Sequence, residues 1–320
     1  MRSGKDWILL QKKNKPALPE IIASRFAELA PHCKVLAREP MCRHTTFEIG
    51  GPADWMALPA TAGETAAVVR IATKNAVPLT VIGKGSNLLV RDKGVRGIVL
   101  KIGEPMSALR CEGEAIIAGA GALLSDVAKF AAQCALTGME FAVGIPGSIG
   151  GAVFMNAGAY DGEISKVVDR VTAVAPDGTV NEYTAAEIDF GYRHSVFQEN
   201  HCIICEVRLR LQAGDRSEIE ARMADLTHRR ESKQPLEWPS AGSTFRRPPG
   251  HFAGTLVEQA GCKGLRCGNA QVSEKHAGFI INAGQATAAE VQELIRQVQD
   301  RVKRNSGVDL WPEVIILGEE

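Results

Sequence analysis

An excess of either charge is missing from this chain. Its 320 residues carry 37 Lys+Arg and 37 Asp+Glu. A nucleic-acid-binding domain normally presents a basic excess, so no nucleic-acid partner is expected. An anionic ligand must therefore be held by backbone N–H groups and a few placed cations rather than by the field of the whole molecule. Long apolar runs are missing too: none approaches the roughly 20 residues of a membrane-spanning helix, and no membrane insertion is expected. The basic segment with Arg2, Lys5, Lys12, Lys13 and Lys15 leads into no signal-peptide pattern, and Ile8-Leu9-Leu10 is too short for one. The expected location is cytoplasmic.

A disulfide or zinc framework is also lacking. The 8 cysteines are scattered, and Cys202-x-x-Cys205 has no second pair at zinc-site spacing. It lies in a segment, 201–211, that reads as a strand, which turns the two thiols to opposite faces. Packing thiols and no metal are expected. A Walker loop is excluded because Gly83-Lys84-Gly85 has no Ser or Thr after the lysine and Pro78 stands where the first glycine belongs. Gly119-Ala120-Gly121 begins a Rossmann fingerprint, but Leu124 occupies the place of the third glycine.

What is present alternates between strand and helix signals, which points to an α/β or α+β fold. Thr61-x-x-Glu64 predicts a capping box and a helix to about Asn75, stopped by Pro78 and followed by a buried strand, Leu79–Ile82. A hairpin is predicted around Pro176-Asp177-Gly178-Thr179. Ile219, Met223 and Leu226 predict a helix over 217–231. Thr287-x-x-Glu290 opens another, with Val291, Leu294, Ile295, Val298 and Val302 on one face. The segment 310–317 reads as an apolar strand interrupted by Glu313. Boundaries are expected near 80 and 215–230.

Two glycine loops stand out. Gly83-Lys84-Gly85-Ser86-Asn87 follows a strand, so its N–H groups can turn towards a phosphate without obstruction by Cβ atoms. Gly144-Ile145-Pro146-Gly147-Ser148-Ile149-Gly150-Gly151 holds four glycines in eight residues. A tight turn needs one or two. Two such loops suit a diphosphate gripped from both sides.

These loops belong to a longer ordered set. It comprises Thr45-Thr46-Phe47, Gly50-Gly51-Pro52-Ala53-Asp54, Asn156-Ala157-Gly158-Ala159-Tyr160, Tyr192-Arg193-His194-Ser195, the segment 239–248 around Ser243, and Pro312-Glu313-Val314. From about residue 40 onward the chain resembles the UDP-N-acetylenolpyruvoylglucosamine reductase (MurB) family. The short connection from Leu211 to Ser217 resembles the subclass lacking an extra tyrosine-bearing loop.

The resemblance implies a PCMH (vanillyl-alcohol-oxidase-like) FAD domain of two subdomains, 19–80 joined by 306–320, and 81–217. A C-terminal α+β substrate domain over 226–305 and a flexible N-terminus over 1–18 complete the expectation. It implies non-covalent FAD, NADPH as co-substrate, and reduction of UDP-N-acetylglucosamine enolpyruvate to UDP-N-acetylmuramate for peptidoglycan, by a chain expected to be a monomer. Flavin N5 would give hydride to C3, Ser243 would protonate C2, and Arg193 and Glu313 would stabilise the intermediate. The cofactor would be held by Gly83–Asn87, by Gly144 to Gly150 and by Ala152. Lys233, Arg247, Asn156, Lys275 and His276 are the substrate-binding candidates. Many members carry an arginine two residues after the glutamate; here that position is Ile315.

Overall fold

The computed structural model describes residues 19–320, so the expectation for 1–18 lies outside the described residues. A first sheet has the strand order Lys34–Pro40, Pro52–Leu58, Val95–Lys101, Leu79–Ile82. Its first pair is antiparallel and the other two are parallel. Parallel neighbours need a crossover, and helix Ala62–Lys74 supplies one.

The capping box at its start is only half made. The Thr61 hydroxyl accepts from the Glu64 N–H at 3.1 Å. The Glu64 carboxylate accepts instead from the N–H groups of Ala60 (2.8 Å) and His32 (2.9 Å). It still lies at the positive end of the helix, but it satisfies amides outside it.

Two further expectations change here. Leu79–Ile82 is an edge strand rather than a buried one: Ile82 is buried while Val81 is 43% exposed. Because Val95–Lys101 is inserted between Pro52–Leu58 and Leu79–Ile82, the first unit extends to Lys101 and not to 80. The inserted strand follows the glycine loop in sequence, so its membership is set by pairing alone.

A second, antiparallel sheet runs Val180–Thr184, Val168–Val174, Ile203–Arg210, Ala115–Gly119, Leu109–Glu112. The Asp-Gly turn closes its hairpin, with the Asp177 carboxylate accepting from the Thr179 N–H at 2.8 Å. Helix Ala62–Lys74 buries Ala67, Val68, Ile71 and Ala72 in one core with residues of both sheets. The two cofactor-side units are thereby fused.

Helix Arg216–Lys233, capped by Asp215, leads out of this body. The third sheet runs Ser240–Ser243, Phe279–Asn282, Ala270–Val272, Arg266–Cys267 and has its own core against helix Ala288–Ser306. At Thr287 both arms of the capping box are made, and all five predicted apolar positions of that helix are buried. The C-terminal strand is shorter than expected. Only Ile315–Leu317 forms one, parallel to Leu88–Val90. Upstream the chain instead lies beside Thr244–Arg246, through the Glu313 N–H to the Thr244 carbonyl and the Arg246 N–H to the Trp311 carbonyl, each 2.8 Å.

Candidate active site

The two glycine loops face each other. A Cβ on Gly83 would lie 2.5 Å from the Ser148 hydroxyl oxygen, and one on Gly147 would lie 3.3 Å from that of Ser86. Gly85 has φ +76° and a Cβ there would meet the His44 carbonyl oxygen at 2.2 Å, so glycine is required. Among the described residues, the N–H groups of Gly83 to Asn87 donate to no protein acceptor, nor do those of Gly147 and Ser148. This is a concentrated set of outward donors, with Lys84 beside it.

Not every residue expected to hold the cofactor lies in this cradle. The Ile149 and Gly150 N–H groups already donate to the Ala122 and Ala120 carbonyls at 2.9 Å each. Ile149, Gly150 and Ala152 are buried. Their part is to pin the second loop on the turn after Ala115–Gly119. Gly144 is spaced for another neighbour, because a Cβ there would lie 2.7 Å from Arg230 Cδ. Ile145 packs against the shared core, and Pro146 reaches the cleft described below.

Two of the three expected reaction residues meet from distant segments, and the third lies on the strand beside them. Arg193 Nε donates to Glu313 Oε1 at 2.7 Å, with both side chains largely buried. Arg193 has φ +54°, an uncommon left-handed conformation for a non-glycine residue. Gln198 holds this turn by donating to the Arg193 carbonyl (3.0 Å) and the Phe154 carbonyl (2.9 Å). The Arg193 terminal nitrogens donate to no acceptor among the described residues. Ser243 is exposed at the end of its strand, one residue before Thr244, whose carbonyl accepts from Glu313. Asn87 closes the group: its side-chain amide donates to the Glu313 carbonyl at 3.2 Å. The first glycine loop and the glutamate are therefore directly linked.

The substrate-binding candidates divide differently. Asn156 is buried and fully used, donating to the Gly191 carbonyl (3.1 Å) and accepting from the Ser165 N–H (3.1 Å). It ties the turn before Arg193 to the segment around Ser165. In His276, Nδ1 accepts from the Gly278 N–H at 3.1 Å, the ring packs edge-on against Phe279, and burial lowers its pKa. Lys275 donates to the Glu231 carbonyl at 2.7 Å, fastening the helix end to the third sheet. Lys233 is exposed at the end of its helix. Arg247 is exposed, with its guanidinium 4.0 Å over the Phe252 ring.

A cleft of about 460 Å³ opens between the glycine loops and the third sheet. Lys84 and Pro146 line one side and Trp238, Ser240 and Gly242 the other. Two residues that the sequence reading passed over also line it. Arg230 continues the stripe Ile219, Met223, Leu226 by one more turn, and burial lowers its pKa. An arginine at the next position of an apolar helix stripe was the available signal. His44 sits between Glu39 (Nε2, 3.0 Å) and Lys101 (Nδ1, 2.9 Å). Thr46 joins that loop to the third sheet, its hydroxyl donating to the Ser240 carbonyl at 2.7 Å. Among the described residues no group of three or more His, Cys, Asp or Glu is placed to hold a metal ion. Cys202 precedes the strand, with Sγ 3.2 Å from the Tyr183 hydroxyl oxygen, and burial pushes the Cys205 thiol up to about 11.

Residues 53–184 match the model of an FAD-binding domain, and 234–317 that of the UDP-N-acetylenolpyruvoylglucosamine reductase C-terminal domain. UDP-N-acetylenolpyruvoylglucosamine reductase of Syntrophomonas wolfei is 46% identical over 297 residues, 93% of this chain and 99% of that protein. The Pediococcus pentosaceus enzyme is 48% identical over 92% of this chain and 98% of its own. The chain belongs to the UDP-N-acetylenolpyruvoylglucosamine reductase family. The crystal structure of the family's Thermus caldophilus member superposes with a TM-score of 0.77 at 35% identity, covering 90% of this chain and 99% of that one. Membership makes the protein an FAD flavoprotein oxidoreductase of peptidoglycan-precursor synthesis, in a family that uses FAD and NADPH. Its cofactor domain is of the PCMH type. The facing loops fit FAD, since their free amides suit a diphosphate and side chains on Gly83 or Gly85 would fill the space. No described helix is long and apolar enough to cross a membrane.

Proposed function

We propose that the chain reduces UDP-N-acetylglucosamine enolpyruvate to UDP-N-acetylmuramate at the junction of Arg193, Ser243 and Glu313, with NADPH as the electron source. The two glycine loops would hold FAD, which when bound would supply the hydride for C3. Negative charge then develops on C2 and the adjoining carboxylate. The free terminal nitrogens of Arg193 provide a planar fork for that carboxylate. Glu313 fixes the fork by its contact to Nε.

Ser243 gives its hydroxyl proton to C2. A serine is a weak acid, but the carbanionic carboxylate is a strong base, and a nearby guanidinium favours the alkoxide left behind. The Arg193–Glu313 contact beside the Ser243 strand carries this reading. Non-covalent FAD is supported by His44, the histidine beside the first loop, whose two ring nitrogens are both engaged within the protein. A nucleotide sugar and NADPH suit the expected cytoplasmic location.

The test is anaerobic. Holoenzyme reduced by NADPH should be reoxidised rapidly by the UDP-enolpyruvyl sugar, with UDP-N-acetylmuramate as product. A flavin that stays reduced with this substrate, yet reoxidises with another acceptor, rejects the assignment.

A further inference from the structure

All eight cysteines are free, and Cys111 alone among them is exposed. It lies on the edge strand Leu109–Glu112 of the second sheet. Side chains alternate along a strand, and partners directly opposite share a face. Cys111 stands opposite Ile116, which stands opposite Leu209, so the three form one row across the sheet. Ile116 and Leu209 are fully buried in the core shared with helix Leu124–Gln133. Arg110 and Glu112 take the other face, where they pair with Glu206 and Arg208. Cys111 therefore ends a core row at the rim of the sheet, on the side of the helix. Cys134 is the C-cap of that helix, half-buried against the same core, and the two thiols lie side by side. Burial and the adjacent Cys111 thiol push the Cys134 thiol up to about 11.

An exposed thiol with a shielded second thiol against it suits reversible oxidation: the first meets the oxidant and the second resolves the product. We propose that Cys111 and Cys134 form a peroxide-responsive pair that closes as a disulfide between the edge strand and the helix. The Cys111 sulfur attacks one oxygen of hydrogen peroxide, the O–O bond breaks, and the departing hydroxide becomes water. The Cys134 sulfur then attacks the Cys111 sulfenic acid, whose S–O bond breaks as the S–S bond forms and a second water leaves. In all, two thiols lose two electrons and two protons, and one peroxide becomes two waters. The Cys111 share in the raised Cys134 pKa disappears once Cys111 is a sulfenic acid, which eases the second step. Such a link is transient in a reducing compartment, so the pair responds to an oxidant and does not hold the fold permanently.

The link braces the cofactor cradle from behind. Positions 111 and 134 bracket strand Ala115–Gly119 and helix Leu124–Gln133. The second glycine loop is fastened to the turn between those two elements. There the Leu124 N–H donates to the Gly147 carbonyl and the Ile149 N–H to the Ala122 carbonyl, each at 2.9 Å. A cross-link across this unit restricts the unfolded chain and so favours the folded cradle.

The test treats holoenzyme with hydrogen peroxide and then alkylates the remaining thiols after unfolding. Wild type should lose two of its eight alkylatable thiols. A peptide map should show Cys111 joined to Cys134, with both thiols recovered after dithiothreitol. In Cys134→Ser the reaction should stop at a sulfenic acid on Cys111, trapped by dimedone, and in Cys111→Ser no link should form. Flavin fluorescence followed on heating gives the second readout. The temperature of flavin release should rise by about 3 to 8 °C in linked wild type, return with dithiothreitol, and stay fixed in Cys111→Ser. Eight alkylated cysteines after peroxide, or Cys111 joined to any other cysteine or to a second copy of the chain, overturns the pairing. Linked protein that releases flavin at the temperature of the reduced form overturns the brace. The wild-type map decides the pairing even if a variant fails to fold, and a yellow purified variant shows that it has folded.

Discussion

The cofactor cradle and the reaction centre are built by opposite means. The cradle is backbone: two glycine loops with outward amides, fixed by a core shared between two sheets. The reaction centre is side chain: an arginine in a left-handed turn, a glutamate from the C-terminal segment and a serine at a strand end. Backbone sites tolerate no added atom, while side-chain sites depend on a few polar groups whose loss leaves the fold standing. Substitutions should therefore separate cofactor binding from chemistry.

The largest effect is expected at Gly85. Gly85→Val places branched atoms where a Cβ alone would be 2.2 Å from the His44 carbonyl, in a conformation that valine rarely adopts. The purified protein should be colourless, with flavin absorbance near zero. A fully yellow Gly85→Val would break the contrast, since the loop would then have room to spare.

The difference also explains what the sequence disclosed. Glycine loops and complete capping boxes are local patterns, so Gly83–Asn87 and Thr287/Glu290 were readable from neighbours alone. Glu313 was visible as a carboxylate in an apolar run, but its partner Arg193, 120 residues away, came only through the family resemblance. Asn156 belonged to a matching motif, and its side chain bonds backbone partners on two segments, while His276 uses one ring nitrogen on the Gly278 N–H. Glu64 left its box because His32, far back in the chain, offered an unpaired amide. Arg230 had a local signal, its place on the apolar stripe of its helix, whereas nothing local distinguishes His44 from an ordinary loop histidine. The order of the first sheet depends on long-range pairing and is beyond local pattern.

A smaller effect sharpens the comparison from the cradle side. Burial is the main cause that lowers the His44 pKa from 6.5, with Lys101 and Arg43 adding to it and Glu39 opposing. A base whose folded pKa is depressed binds fewer protons folded than unfolded, so stability rises with pH through the window below 6.5 and falls on acidification. The thermal midpoint of wild type should therefore drop more between about pH 7 and 5 than that of His44→Gln. Equal slopes would show that this loop does not restrain the histidine. Circular dichroism melts at matched ionic strength suffice.

The central claim is that holding the flavin and finishing the reaction are separate tasks of separate residues. Stopped-flow measurement of both half-reactions in Ser243→Ala tests it most directly. Reduction of the bound flavin by NADPH should proceed close to the wild-type rate, while reoxidation by the UDP-enolpyruvyl sugar should slow by about 10²- to 10⁴-fold, the range for a lost general acid. Reoxidation at the wild-type rate would contradict the account and remove Ser243 from the chemistry.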